Sequence, residues 1–336
     1  MKKLALLLAA LSVASVSYAK EVMPEAAPVV EEAPVVEQEV VEVKAAPVLR
    51  VTSVGQELVV ENNSSANGDG QENIGDAIHL KNKVGLALGD KWTFDLMARK
   101  TWQASTDDVN VYDENGNVTG VWDGMKSKAH RLDLQATRHF ENFSVGLRWR
   151  GEKDQDAIFL PVSYNYGMVS GWFDPAYYFA NESGVSGQDY FYLEAEPVVL
   201  SYGPVQLAYY FEGTKYTGDG AFDSKEKEYA DHTYTHQARV RGTVYSNDVF
   251  SVGLEYRYQF AQEEVYKDLA GKETTLENNR HIAVLSAAYN VTENLTVDAY
   301  YQYEFNKYEA EYDGKSVTPD DDDYFGEFGL GWSYKF

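Results

Sequence analysis

The chain has no cysteine. That excludes disulfides, thiolate metal sites and cysteine catalysis together. It also lacks any apolar run of the roughly 20 residues that a membrane-spanning helix requires. The one early run, Leu4 to Val16, is too short and soon gives way to polar sequence. Positive charge is scarce: 29 Lys and Arg stand against 53 Asp and Glu, a net of -24. Such a balance argues against nucleic acid as a partner, because phosphates need basic surfaces. Nothing in the sequence calls for a cofactor.

Aromatics and glycine are abundant instead. There are 26 Tyr, 15 Phe, 6 Trp and 26 Gly, yet the mean hydropathy is only -0.44. Many aromatics at low mean hydropathy fit strands with one apolar and one polar face, whereas a helical membrane protein would be far more apolar. The tail shows the pattern most clearly. Phe328, Leu330, Trp332, Tyr334 and Phe336 fall on one face, and Gly329, Gly331, Ser333 and Lys335 on the other. A final apolar strand closing on a terminal aromatic reads as an assembly signal, carried by Leu330, Trp332, Tyr334 and Phe336. Its expected reader is the barrel-assembly machinery, and its expected solvent is outer-membrane lipid.

The organisation follows. Lys2 and Lys3, the apolar run and Ser17-Tyr18-Ala19 make residues 1–19 a signal peptide cleaved after Ala19. Loss of Lys2 and Lys3 leaves 27 basic residues against the same 53 acids, a net of -26. Residues 20–46 repeat Ala-Pro-Val-Val-Glu phrases and read as an extended periplasmic linker. Val35, Val36, Val40, Val41 and Val43 suggest a short coiled coil, but prolines at 24, 28, 34 and 47 leave it little room. Residues 47–336 read as the barrel domain.

From Val48 onward the hydrophobic period is two. Fourteen strands are expected, at about 48–60, 75–88, 92–103, 128–140, 143–152, 157–168, 171–180, 188–200, 204–215, 231–245, 249–261, 279–290, 295–306 and 325–336. The fifth offers Phe143, Val145, Leu147 and Trp149 outward, and the eleventh Phe250, Val252, Leu254, Tyr256, Tyr258 and Phe260. Pro161, Pro175 and Pro197 fall inside the sixth to eighth, and the sixth and seventh have one bent strand as their alternative reading. Connections alternate. Short ones such as Gly89-Asp90, Glu141-Asn142 and Ser246-Asn247-Asp248 hold turn formers, while 61–74, 104–127, 216–230, 262–278 and 307–324 are long. Counted from a periplasmic start, every long connection falls outside, as in outer-membrane barrels. The expected fold is therefore an all-β, antiparallel transmembrane β-barrel of about fourteen strands.

The opening Met1-Lys2-Lys3-Leu4-Ala5-Leu6, the segment Lys20-Glu21-Val22-Met23-Pro24 and the Pro/Val/Glu phrases after it resemble the major outer-membrane porin of fusobacteria and related porins. The local match covers about the first 40 residues, and the remainder of the likeness is chain length, strand parity and terminal Phe336. The resemblance implies a diffusion porin assembled as a homotrimer, passing ions and small hydrophilic solutes. It offers no catalytic motif, so the chain is not expected to be an enzyme.

Alternation places a charged set on the inward faces. The basic members are Arg99, Arg131, Arg148, Arg150, Arg239, Arg241 and Arg257. The acidic members are Asp95, Asp133, Glu194, Glu196, Glu212, Glu255, Asp298 and Glu304. Residues two apart share a face, so Arg148/Arg150 and Arg239/Arg241 are ladders. A water-filled interior is the sensible place for them, since a charge facing lipid costs a few kcal/mol. Two uses fit: rows of charge that line a pore and sort solutes, or salt bridges that fix the strands. Lys100, Lys128 and Arg138 fall outward near strand ends, within reach of the interface. His232 and His236 are four apart with no evident third ligand, so no metal site is expected.

Three functions follow from this set. A passive porin is the first, a surface adhesin using the external loops the second, and a channel selective for acidic sugars the third. The acid-rich loops, including Asp320 to Asp323, lead to an expected weak cation preference that fades with salt.

Overall fold

The computed structural model describes residues 48–63, 73–113, 117–181, 189–217, 222–223, 228–269, 271, 273–312, 315–317 and 324–336. The expected signal peptide, the linker and the acidic run Asp320–Asp323 lie outside these residues.

Seventeen strand segments form one antiparallel sheet. Two are short additions, and two are halves of a single interrupted strand, which leaves fourteen wall strands. They are β1 (Leu49–Asn63), β2 (Asn73–Leu88), β3 (Trp92–Tyr112), β4 (Val118–His139), β5 (Phe143–Glu152), β6 (Gln155–Phe159 continued by Val162–Tyr166) and β7 (Val169–Ala180). The others are β8 (Tyr190–Tyr202), β9 (Val205–Tyr216), β10 (Glu228–Ser246), β11 (Phe250–Asp268), β12 (Glu273–Asn290), β13 (Leu295–Tyr312) and β14 (Tyr324–Lys335). The wall closes where β1 pairs with β14, from Ser53↔Lys335 to Asn63↔Phe325. Closure leaves no strand edge in the lipid, where unpaired backbone groups have no water to turn to.

At one end the strands are joined by turns of two to four residues, such as Gly167-Met168, Gly203-Pro204 and Val291–Asn294. Gly203 has φ 56°, and the proline after it cannot take positive φ. That combination suits a type II′ turn, whose twist matches the strands it joins.

The opposite end departs from expectation. The expected loop 104–127 is largely ladder: β3 and β4 stay paired to Tyr112↔Val118, with only 113–117 between them. The same holds for 262–278, where pairing continues to Lys267↔Glu273, and for 307–324, where β13 runs to Tyr312. The reason is physical. Above the lipid both faces of a ribbon meet water, so the apolar/polar contrast that reveals a strand disappears. The short strands Phe222–Asp223 and Lys315–Val317 extend this region on β10 and β13.

The prolines are absorbed without losing a wall strand. The sixth and seventh strands are separate, joined by Gly167-Met168. Pro161 divides β6, yet its carbonyl accepts from Gly146 at 2.7 Å, and Leu160 donates to Pro175 at 2.9 Å. Beside Pro197, β8 slips register against both neighbours. The bulge changes the facing of β8, so Glu194 and Glu196 point inward and, beyond it, Val199 does too.

Burial is inverted relative to a soluble protein. Leu58, Val84, Leu96, Leu147, Leu207 and Leu254 are exposed on the outer wall, while Arg150, Arg239, Glu194, Glu196 and Glu304 are almost fully buried inside. No described helix is long and apolar enough to cross a membrane; the crossing is made by strands.

Candidate functional site

The candidate site is the inner wall. Each strand supplies it with every second residue, and register sets which of them meet. Three clusters result.

The first spans β3 to β7. Asp133 accepts from Arg131 at 2.9 Å and from Arg150 at 3.1 Å. Arg150 donates onward to the Tyr178 hydroxyl at 2.6 Å. Arg148 pairs with Asp174 at 2.7 Å, and Arg99 lies 3.5 Å from Glu152. The guanidiniums of Arg148 and Arg150 cover the ring of Phe159 at 3.9 and 4.4 Å. Phe159 is fully buried and edge-packed by Tyr178 and Tyr192. Burying such a ring contributes about 1.5–3 kcal/mol, and cation–π contact adds to it.

The second spans β8 to β13. Glu196 binds Arg239 at 3.0 Å and Arg241 at 2.8 Å. Arg239 lies flat over Tyr210 at 3.5 Å and donates to Gln237 at 2.8 Å. Arg257 donates to Glu255 at 2.7 Å and to Gln302 at 3.1 Å, and Arg280 to Glu304 at 2.8 Å. Within this cluster Glu194 and Glu212 have no basic partner at ion-pair distance among the described residues. Two tyrosines bridge them instead. The Tyr192 hydroxyl is 3.0 Å from each carboxylate, and the Tyr210 hydroxyl is 3.0 Å from Glu194 and 2.7 Å from Glu212.

The third spans β13, β14 and β1 to β3. Glu57 takes Lys81 at 3.1 Å and Lys83 at 2.5 Å. His79 is held between the Thr101 hydroxyl and the Glu61 carboxylate, both at 2.8 Å. Tyr300 hydrogen-bonds Glu327. It reaches Glu327 across Gly329, where a Cβ would lie 2.0 Å from the Tyr300 ring. The small inner face of the last strand thus makes room for a neighbour's side chain.

Of the charged set expected from alternation, the seven arginines each stand within 3.5 Å of a carboxylate. Asp95 and Asp298 share the inward parity but form no ion pair among the described residues, and Asp95 is exposed. Sequence reasoning missed Glu57, Glu61, His79, Lys81, Lys83, Asp174, Arg280 and Glu327. The facing of Glu57, Glu61, His79, Lys81, Lys83 and Glu327 follows from alternation, whereas the runs around Asp174 and Arg280 show no contrast between faces. Sequence reasoning also missed the inward rings of Phe159, Tyr178, Tyr192 and Tyr210.

Outside the wall, Leu330, Trp332, Tyr334 and Phe336 all face outward and are exposed. Arg138 stacks on Trp92 and Phe140 at 5.4 and 5.3 Å near the turn end, as an interfacial cation would. His232 contacts Asp231 at 2.6 Å and Glu263 at 2.9 Å, whereas His236 meets Tyr209 at 2.7 Å. The two histidines share no partner, and among the described residues no group of three or more candidate ligands forms.

A closed antiparallel barrel with an apolar exterior and an ionised interior defines an outer-membrane β-barrel protein. No family model matches the chain, and no curated protein matches it. Solved structures similar to it include OmpT, an outer membrane protein of Vibrio cholerae (12% identity, 88% of this chain and 100% of that chain, TM-score 0.42). Others are an anion-selective porin from Comamonas acidovorans (15% identity, 86% and 100%, TM-score 0.41) and a bacterial polysaccharide outer membrane secretin (11% identity, 84% and 98%, TM-score 0.46). These are distant likenesses, and the fold rests on the chain's own strand pairing.

Proposed function

We propose that the chain is a porin through which ions and small hydrophilic solutes diffuse passively. The supporting observation is the charged inner wall of a closed barrel whose outer face is apolar. Fourteen strands lie between eight-stranded barrels with filled interiors and porins of 16–18 strands, so the pore is narrow. Within this reading residues 1–19 are removed on export, residues 20–46 are a periplasmic linker, and assembly runs through the barrel-assembly machinery. The resemblance of the first 40 residues to fusobacterial porins belongs to the same proposal, as do a homotrimeric state and the lack of enzymatic activity. Selection of acidic sugars is not favoured, because every expected arginine is matched by a carboxylate.

Planar-bilayer recording tests the reading: the purified protein should give stable, ohmic steps in potassium chloride. A folded, heat-modifiable barrel that never conducts would refute it. Arg148 and Arg150 serve as reporters. Replacing both by Ala leaves Asp174 without its partner and Asp133 with Arg131 alone. The reversal potential in a salt gradient should therefore move toward cation preference, and the shift should shrink at high salt. An unchanged potential would mean that these arginines do not line the conducting path.

Sidedness has its own test, helped by the absence of native cysteine. Single cysteines at Asn117 or Asp154, on the end with tall strands, should react with an impermeant maleimide on intact cells. Cysteines at Asn142 or Glu293, in the short turns, should react only after lysis. Surface labelling at Asn142 would reverse the orientation.

A further inference from the structure

Among the described residues the outward positions of the wall are mostly apolar or aromatic through the middle of the barrel, and one directly paired polar couple interrupts them. Gln56 on β1 and Asn82 on β2 are directly paired across the strands and both face outward. The Gln56 amide donates to the Asn82 carbonyl oxygen at 2.9 Å. The pair does not lie at a rim. Val54 and Val84 flank it toward the turn end, and Leu58 and Leu80 toward the loop end, so it sits inside the apolar band. The other outward polar groups differ in place or pairing. His236 and His281 lie toward the loop end and are each bonded by a tyrosine, and Lys100, paired with Leu80 one outward step toward the loop end on the β1 to β3 face, is bonded to Ser127.

One hydrogen bond does not satisfy two amides. A side-chain amide carries two donors and a carbonyl acceptor. After their mutual bond, the second Gln56 N–H, the Gln56 carbonyl oxygen and both Asn82 N–H groups have no further side-chain partner among the described residues. Acyl chains can meet none of these needs. We infer that the outer face of β1 to β3, centred on Gln56 and Asn82, is the surface on which a second copy of this chain docks. A second copy fits for two reasons. Rotation about the membrane normal leaves depth unchanged, so a neighbour related that way brings its own amides to the same level. An amide is also both donor and acceptor, so it complements itself. The neighbour across from Asn82 on β3 is Ala98, small enough to let another wall approach. Polar side chains of this kind hold membrane segments together where apolar contact alone gives no preference over lipid.

The inference rests on the barrel spanning a bilayer, not on its conducting. The test uses the full-length protein in lipid nanodiscs and native membranes. With Ala98→Cys, beside the amide pair, a short bis-maleimide should yield covalent oligomers, whereas Leu207→Cys, exposed outward on β9, should not. The double variant Gln56→Leu, Asn82→Leu should weaken association at least tenfold in light scattering while keeping heat-modifiable migration. Three results would overturn the inference: a wild-type protein monomeric in nanodiscs, cross-linking at Leu207→Cys without cross-linking at Ala98→Cys, or a Leu double variant that associates as the wild type does. Loss of heat-modifiable migration in the wild type would instead refute the barrel itself.

Discussion

Deletion of Phe336 is expected to cut membrane-inserted, heat-modifiable protein in cells by tenfold or more while leaving refolding into detergent nearly intact. The two halves of that result separate recognition from stability. Phe336 is 69% exposed at the end of β14. Its backbone N–H bonds the Thr52 carbonyl at 3.1 Å, and its ring meets Tyr334 edge-on, with centroids 5.0 Å apart. One hydrogen bond contributes about 0.5–1.5 kcal/mol, and an exposed aromatic pair adds little. A chain of this size with a closed ladder can lose both and still fold. The large cellular effect would come from what reads the exposed aromatic face of β14, with Leu330, Trp332 and Tyr334 completing it. Equal losses in cells and in detergent would show that Phe336 is a closing residue of the barrel and not part of a signal.

Most of the wall was legible in the sequence because lipid enforces contrast. Where one face met lipid and the other met the interior, as in Phe143 to Trp149 or Phe250 to Phe260, alternation gave both the strand and its facing. The same rule hid three things. Above the lipid both faces are wet, so the upper parts of β3, β4, β11 and β12 read as loops. Runs of aromatics such as Tyr177-Tyr178-Phe179, Tyr190-Phe191-Tyr192 and Tyr209-Tyr210-Phe211 show no contrast at all. In each run at least one ring points inward and packs with arginine or carboxylate. An aromatic-means-outward rule could not find them. Third, the partners of each charge depend on register across strands far apart in sequence, and Pro197 marks an interruption of β8 without telling how the register slips beside it. Parity therefore indicated which residues face in, and left open whether their charges line a pore or match one another.

Removal of the Glu196 carboxylate should be the most costly single change in the interior. Glu196 is fully buried and belongs to β8, while Arg239 and Arg241 belong to β10. The ion pairs therefore reach over β9 and tie three strands together beside the Pro197 bulge. Arg239 is itself 2% exposed and stacked on Tyr210, so without Glu196 its charge would stay buried with Gln237 and the ring as its direct contacts. Breaking a buried pair from one side costs about 3–5 kcal/mol, and that is the loss expected for Glu196→Ala in reversible denaturant unfolding. Glu196→Gln keeps the shape and one acceptor, so it should fall between Ala and wild type. A cycle with Arg239→Ala should show coupling of about 1–3 kcal/mol. The same number reports on the pore. If Glu196→Ala loses less than about 1 kcal/mol, the value typical of solvated surface pairs, then water screens Arg239. The β8 to β10 wall would then border the conducting path, not a packed flank beside it. A loss of several kcal/mol places the aqueous path elsewhere, against the wall of β13, β14 and β1 to β3, where Lys83, Asp95 and Asp298 are less buried than Glu196.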